Sequence, residues 1–144
     1  MDVSKIIKIL ENGVKREKEE LLSQLEDVFM IHQKDIYMFG NIVEILIKFF
    51  KNEKDTELKE SYLDAIYFAA SYKDISRVDL FPLIEVFKEV ELLSIKILII
   101  GTIGFSHNKK YLPFINSLLD SSNAEISSEA AIAKKEIEEA RNVQ

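Results

Sequence analysis

The stretch Ile99–Lys135, IIGTIGFSHNKKYLPFINSLLDSSNAEISSEAAIAKK, reads as the end of one helix, a short second helix and the start of a third. An apolar run stops at Gly101-Thr102-Ile103-Gly104, and the polar turn Ser106-His107-Asn108 follows it. Asn108 is a residue type that caps helices, and Pro113 suits a first helical turn, where a missing N–H costs little. This helix runs to about Asp120, and the capping-box pattern Ser122-Asn123-Ala124-Glu125 opens a last helix reaching about Arg141.

Helical spacing continues toward the amino terminus. Leu92–Phe105 is apolar nearly all round, which predicts a helix covered on both sides, with Lys96 reaching outward or meeting Glu60, Asp64 or Glu129. Asp79 reads as the N-cap of a helix holding Pro82 in its first turn and ending near Val90. Tyr72–Val78 is a break. Glu57 to about Ser71 is a helix with Leu58, Tyr62, Leu63, Ala65, Ile66 and Ala69 on one face, preceded by the polar turn Lys51–Thr56. A third helix runs through Phe39, Val43, Leu46 and Phe50, capped at Asp35 or starting later at Asn41. Val3–Val14 and Lys15–His32 give two more, with Asn12-Gly13 closing the first by a residue that accepts positive φ.

An internal period emerges. Glu57–Ala70, Glu91–Gly104 and Glu125–Glu138 align at shifts of 34, giving columns Leu58/Leu92/Ile126, Leu63/Ile97/Ala131, Ala65/Ile99/Ala133 and Ala69/Ile103/Ile137. The preceding helices repeat at 31, Leu80-Phe81-Pro82-Leu83-Ile84 against Tyr111-Leu112-Pro113-Phe114-Ile115. Unequal shifts place the length difference in the turn at Ser121-Ser122-Asn123. Paired helices at this period predict an all-α stack in which each hairpin covers its neighbour's apolar face.

The segment from Leu92 to Lys135, with its Gly-x-Ile-Gly step, Pro-containing helix and Ala-rich second helix, resembles HEAT-type α-solenoid repeats. The resemblance spans 57–141, and residues 1–56 are expected to be irregular hairpins or a cap of the same single domain, 1–144. It departs from the family pattern in lacking an Asp-Pro turn and an Asp/Arg ladder. The resemblance implies a right-handed α-α superhelix of about four antiparallel hairpins, and usually a protein-binding surface rather than one activity.

Composition narrows the function classes. With no cysteine, thiolate zinc sites, iron–sulfur clusters, disulfides and cysteine nucleophiles are excluded. The amino terminus interrupts its apolar residues with lysines and is no secretory h-region, so a cytoplasmic location is expected. Leu92–Phe105, at 14 residues, falls short of the roughly 20 that span a bilayer, which predicts no membrane contact. Net charge is −6, with ten basic against fourteen acidic residues in 1–72 and nine against eleven in 73–144. Only Arg16, Arg77 and Arg141 supply guanidinium groups, so nucleic acid is not the expected ligand.

Residues for chemistry are few. His32 falls on the Leu21/Leu25/Val28 stripe as a core-edge residue, and His107 in a turn as an exposed one. Glu17/Glu20, Glu57/Glu60 and Glu136/Glu139 share helix faces but lack the Glu-x-x-His motifs of a di-metal bundle. Gly101-Thr102-Ile103-Gly104 formally matches an RNA-clamping Gly-x-x-Gly without its basic flanks, and close packing plus a C-cap explains it better. No catalytic, cofactor or metal residue is expected.

The expected function is a non-catalytic protein-interaction module, monomeric or weakly homodimeric. Its most concrete form is a bacterial toxin-neutralising immunity-type protein, small, acidic and whole from Met1, that holds a basic toxin domain. A scaffold or adaptor subunit is the alternative, and an enzyme using dispersed carboxylates a further one. The second helices carry the expected partner face: Glu57, Glu60, Asp64 and Tyr67 on the first, Ser94 and Leu98 on the next, Ser128 and Lys135 on the last.

Overall fold

The computed structural model describes residues 2–31 and 36–140, with side chains left out at 36–38 and 140. Within them the chain is all-α, eight helices and no strand. They are α1 (Val3–Asn12), α2 (Lys15–Met30), α3 (Ile36–Asn52), α4 (Thr56–Tyr72), α5 (Phe81–Phe87), α6 (Leu93–Phe105), α7 (Leu112–Leu118) and α8 (Ala124–Ala140). A single 3₁₀ turn, Lys109–Tyr111, leads into α7.

The helices pair in chain order and stack in two rows. In one row α4 packs between α2 and α6, and α6 between α4 and α8. In the other, α3 touches α1 and α5, and the Phe87 and Phe114 rings, 5.1 Å apart, join α5 to α7. One continuous apolar core runs between the rows, from Ile6 and Leu10 through Leu46, Phe50, Leu63 and Ile66 to Ile115 and Ile137. Residues 1–56 supply α1, α2 and α3, and α2 takes its place in the same row as α4, α6 and α8.

Side-chain caps set several boundaries. Asp2 accepts from Ser4 N, Asp55 from Leu58 N at 3.0 Å, and Asn108 from Lys110 N at 3.1 Å. The last helix is capped by Asn123, whose Oδ1 takes the N–H groups of Glu125 and Ile126, one residue beyond the capping box expected at Ser122. α3 already runs as helix at Asn41, which favours the earlier start; Asp35 and His32 lie outside the described residues, as does Arg141. Gly13 closes α1 at φ −72°, not at positive φ. Its value is space, since a Cβ there would meet the Ile9 carbonyl oxygen at 2.6 Å.

The repeat register departs from the uniform 34-residue shift. Helices α4 and α8 begin at 56 and 124 and end at 72 and 140, two such periods apart. Between them α6 is displaced by three residues. Its start at 93 and its buried positions match α4 at a shift of 37 and α8 at 31, giving buried columns Leu58/Ile95/Ile126, Tyr62/Ile99/Ala130, Ala65/Thr102/Ala133 and Ala69/Ser106/Ile137. Helices α5 and α7 keep the expected 31. The turns 88–92 and 119–123 are equally long, so Ser121-Ser122-Asn123 is no insertion; the extra residues fall earlier, four in the longer α4 and two in the connection 73–80. Polarity disguises this register, because Thr102 and Ser106 occupy core columns. Their hydroxyls donate to the helix carbonyls of Leu98 and Ile103, which makes burial affordable.

Successive hairpins are also joined through their connecting loops. Tyr111, fully buried, accepts a hydrogen bond from Leu80 N at 2.8 Å, and Asn108 Nδ2 donates to Ser76 O at 3.2 Å. Tyr62 is equally buried, but its hydroxyl has no partner among the described residues; burial, with Glu53 nearby, pushes that phenol up to about 12. The two tyrosines therefore respond oppositely to loss of the hydroxyl. Tyr111→Phe strands a buried N–H and lowers unfolding free energy by about 1–3 kcal/mol, whereas Tyr62→Phe is neutral or stabilising, both read from urea denaturation.

Candidate functional site

The row of α2, α4, α6 and α8, the second helix of each pair and so the second row, presents a continuous surface opposite the core. On α4, Glu60, Asp64 and Tyr67 follow each other at i, i+4 and i+7, one stripe of the helix, and all three are half-buried. On α6 the stripe beside it is Ser94, Leu98, Gly101 and Phe105. A Cβ on Gly101 would lie 2.8 Å from Cε1 of Tyr67, so the absent side chain is what lets the phenol ring lie against α6. The ring also meets Phe105 edge-on, with centroids 5.6 Å apart. On the other side, a Cβ on Gly104 would come within 2.9 Å of Cα and Cβ of Ala133, so that glycine sets the approach of α8. Close packing accounts for the Gly-x-x-Gly step as expected, but Gly104 is not the expected C-cap: the helix continues through Phe105 and Ser106 caps it.

A shallow cleft of about 70 Å³ opens where α4, α6 and α8 meet. Tyr67 forms one wall, the backbone at Gly101 and Gly104 with Phe105 the floor, and Glu129, Ile132, Ala133 and Glu136 the α8 side. His107, outside this lining, pairs with Glu136. Its φ of 54° lies in the left-handed region usual for the residue after a helix, and its Nε2 lies 3.0 Å from Glu136 Oε2.

Carboxylates crowd the α2/α4 edge of the same face. Desolvation, followed by the charge of Glu60, raises Asp64 above the usual carboxylate range; desolvation, then Asp64 and Asp27, raises Glu26 on α2. Among the described residues, Glu26, Glu60 and Asp64 have no cation within ion-pair distance. The neighbouring end of α4 is handled differently. Lys15 bridges Asp55 at 3.2 Å and Glu57 at 2.9 Å, and Asp55 is held low, chiefly by the Leu58 N–H.

The residues expected at the partner face are thus distributed. Glu60, Asp64 and Tyr67 form one stripe, with Leu98 half-buried on the stripe of α6 beside it. Glu57 is exposed but engaged by Lys15. Ser94 is exposed near the start of α6; the shift of 37 sets it level with Glu57 rather than Glu60, and Leu98 level with Ser61 rather than Asp64. Ser128 and Lys135 are exposed on α8 outside the cleft, and Lys135 reaches Glu139 at 3.9 Å. Lys96 meets none of the expected carboxylates; its ammonium lies 5.4 Å from the centroid of the Phe87 ring on α5. Sequence reading missed Glu26, Phe105, Glu129 and Glu136. Glu26 would have emerged by aligning α2 with α4 at a shift of 41, which matches Leu21, Leu22, Leu25 and Phe29 to buried Tyr62, Leu63, Ile66 and Ala70.

Among the described residues, no three of His, Asp and Glu converge as metal ligands, and no helix is long and apolar enough to cross a membrane. Comparison with protein-family models, curated proteins and solved structures finds no match.

Raised carboxylate pKa values mean that these groups oppose folding when ionised. Stability lost to Asp64 and Glu26 is fully lost above their raised folded values and recovers as pH falls toward their ordinary values of 3.8 and 4.5. Asp64→Asn therefore raises the melting temperature at pH 7, and its advantage over the natural chain shrinks as pH is lowered through that window. Thermal melts from pH 7 to pH 4 check both parts.

Proposed function

We propose that this chain is a non-catalytic protein-binding module, a HEAT-like right-handed helical stack whose second-row face receives a basic protein partner. In its most concrete form it is an immunity-type protein of the bacterial cytoplasm that neutralises a basic toxin domain. The observation that carries this is the crowding of Glu26, Glu60 and Asp64. The chain neutralises acids at Lys15 a few residues away, yet among the described residues these three have no cation within ion-pair distance, and Glu26 and Asp64 are raised by desolvation and by neighbouring carboxylates. A basic surface laid over them relieves that repulsion on binding, and complementary potentials speed the encounter. Tyr67 and Leu98 beside them provide the amphipathic and apolar contact that usually carries interface energy.

A scaffold or adaptor subunit is the second proposal. It is favoured by exposed Val28, Met30 and Ile31 at the end of α2 and Tyr72 at the end of α4, which Lys73 Nζ ties together through the Ile31 carbonyl at 2.8 Å. Such a site would be an apolar edge rather than an acidic face.

Affinity capture from the native cell, followed by binding kinetics with the captured protein, separates these proposals. With a basic partner, the double variant Glu60→Lys/Asp64→Lys slows association about tenfold or more at low salt while circular dichroism stays unchanged. Unchanged association kinetics would remove the acidic face and leave the apolar patch of Val28, Met30, Ile31 and Tyr72.

A further inference from the structure

Resting on the proposal of a basic partner, the geometry points to one further feature: the cleft between α4, α6 and α8 is a receptor for a single arginine side chain of that partner. At about 70 Å³ it suits the tip of a side chain rather than a whole small ligand, whose pockets are roughly 300–1,000 Å³.

Its chemistry selects a planar cation. Tyr67 and Phe105 offer aromatic surface at one end, and an aromatic face attracts a guanidinium more readily than it does a strongly hydrated ammonium. Glu129 and Glu136 line the α8 side two helical turns apart; Glu129 is the acceptor for charge-assisted hydrogen bonds from the forked donor, and Glu136 adds negative potential. Glu136 Oε2 is engaged by His107 Nε2 at 3.0 Å. Ile132, 55% exposed at the rim, supplies apolar cover for the methylene stem. The cleft owes its depth to Gly101 and Gly104, because any side chain there would collide with Tyr67 or Ala133 and fill the floor.

The test uses the full chain, isotope-labelled, titrated with three capped tripeptides, Gly-Arg-Gly, Gly-Lys-Gly and Gly-citrulline-Gly, and followed by amide chemical shifts. Arginine is expected to move Gly101, Gly104, Phe105 and Ile132 and to bind about threefold tighter than lysine, with citrulline inert. Glu129→Gln, a surface change that spares the core, weakens arginine binding severalfold, and Tyr67→Ala abolishes it; Tyr67→Phe, which keeps the ring, retains it. The Glu60→Lys/Asp64→Lys variant keeps these shifts at the cleft. Equal binding of citrulline, shifts spread evenly over all acidic positions, or indifference to Glu129→Gln would overturn the proposal. If Glu60→Lys/Asp64→Lys slows capture of the whole partner while Glu129→Gln leaves its affinity unchanged, the acidic face stands and the arginine receptor falls. The converse result would sink the acidic face alone.

Discussion

Everything on the second-row face depends on how closely α6 approaches α4 and α8. A helix that is apolar nearly all round can only persist if both sides are covered, and two bulky ridges cannot be brought that near without gaps or strain. Gly101 and Gly104 resolve the conflict by giving each neighbour a flat place to lie, Tyr67 on one side and Ala133 on the other. The same two positions leave the shallow opening at the three-helix junction. Helix packing and the cleft therefore share one cause, and neither can be altered independently of the other.

Charge on this face follows a different logic from charge elsewhere. At the start of α4, Lys15 draws Asp55 and Glu57 into a local bridge, and at the far end Lys135 lies near Glu139. Exposed pairs of this kind contribute little to stability, yet they keep repulsion from accumulating. Glu26, Glu60 and Asp64 are half-buried against one another across the α2/α4 seam instead. A local conflict retained in an otherwise consistent sequence marks a place where something other than folding sets the residue choice.

Much of the architecture was legible because apolar spacing and caps act locally. Helix count, the covered central helix, the prolines early in α5 and α7 and the 31-residue relation of those helices all follow from residues within a turn or two of each other. The second-row register was not legible, for a physical reason. Hydrophobic matching seeks apolar residues in core columns, and Thr102 and Ser106 enter the core by turning their hydroxyls back onto helix carbonyls. Alignment on apolar identity alone slid α6 by three residues and averaged the two true shifts into one. Of the face, the stripe Glu60, Asp64 and Tyr67 was readable from one helix's periodicity. Glu26 needed the 41-residue alignment of α2 with α4, and Phe105, Glu129 and Glu136 were not readable, since they join the face only through contacts between helices far apart in sequence.

Tyr111 and Asn108 reach back from the last hairpin to the backbone at Leu80 and Ser76. In a linear array each repeat ordinarily trades contacts only with its neighbours' helices, so an end unit can fray while the rest persists. Here the polar stitches tie the penultimate loop to the terminal pair, and α7–α8 cannot lift away without stranding a buried amide in the unit beneath it. Melting from the carboxyl end should consequently proceed in a step of two hairpins rather than one, giving that half of the molecule a single cooperative block that hydrogen exchange would register as uniform protection.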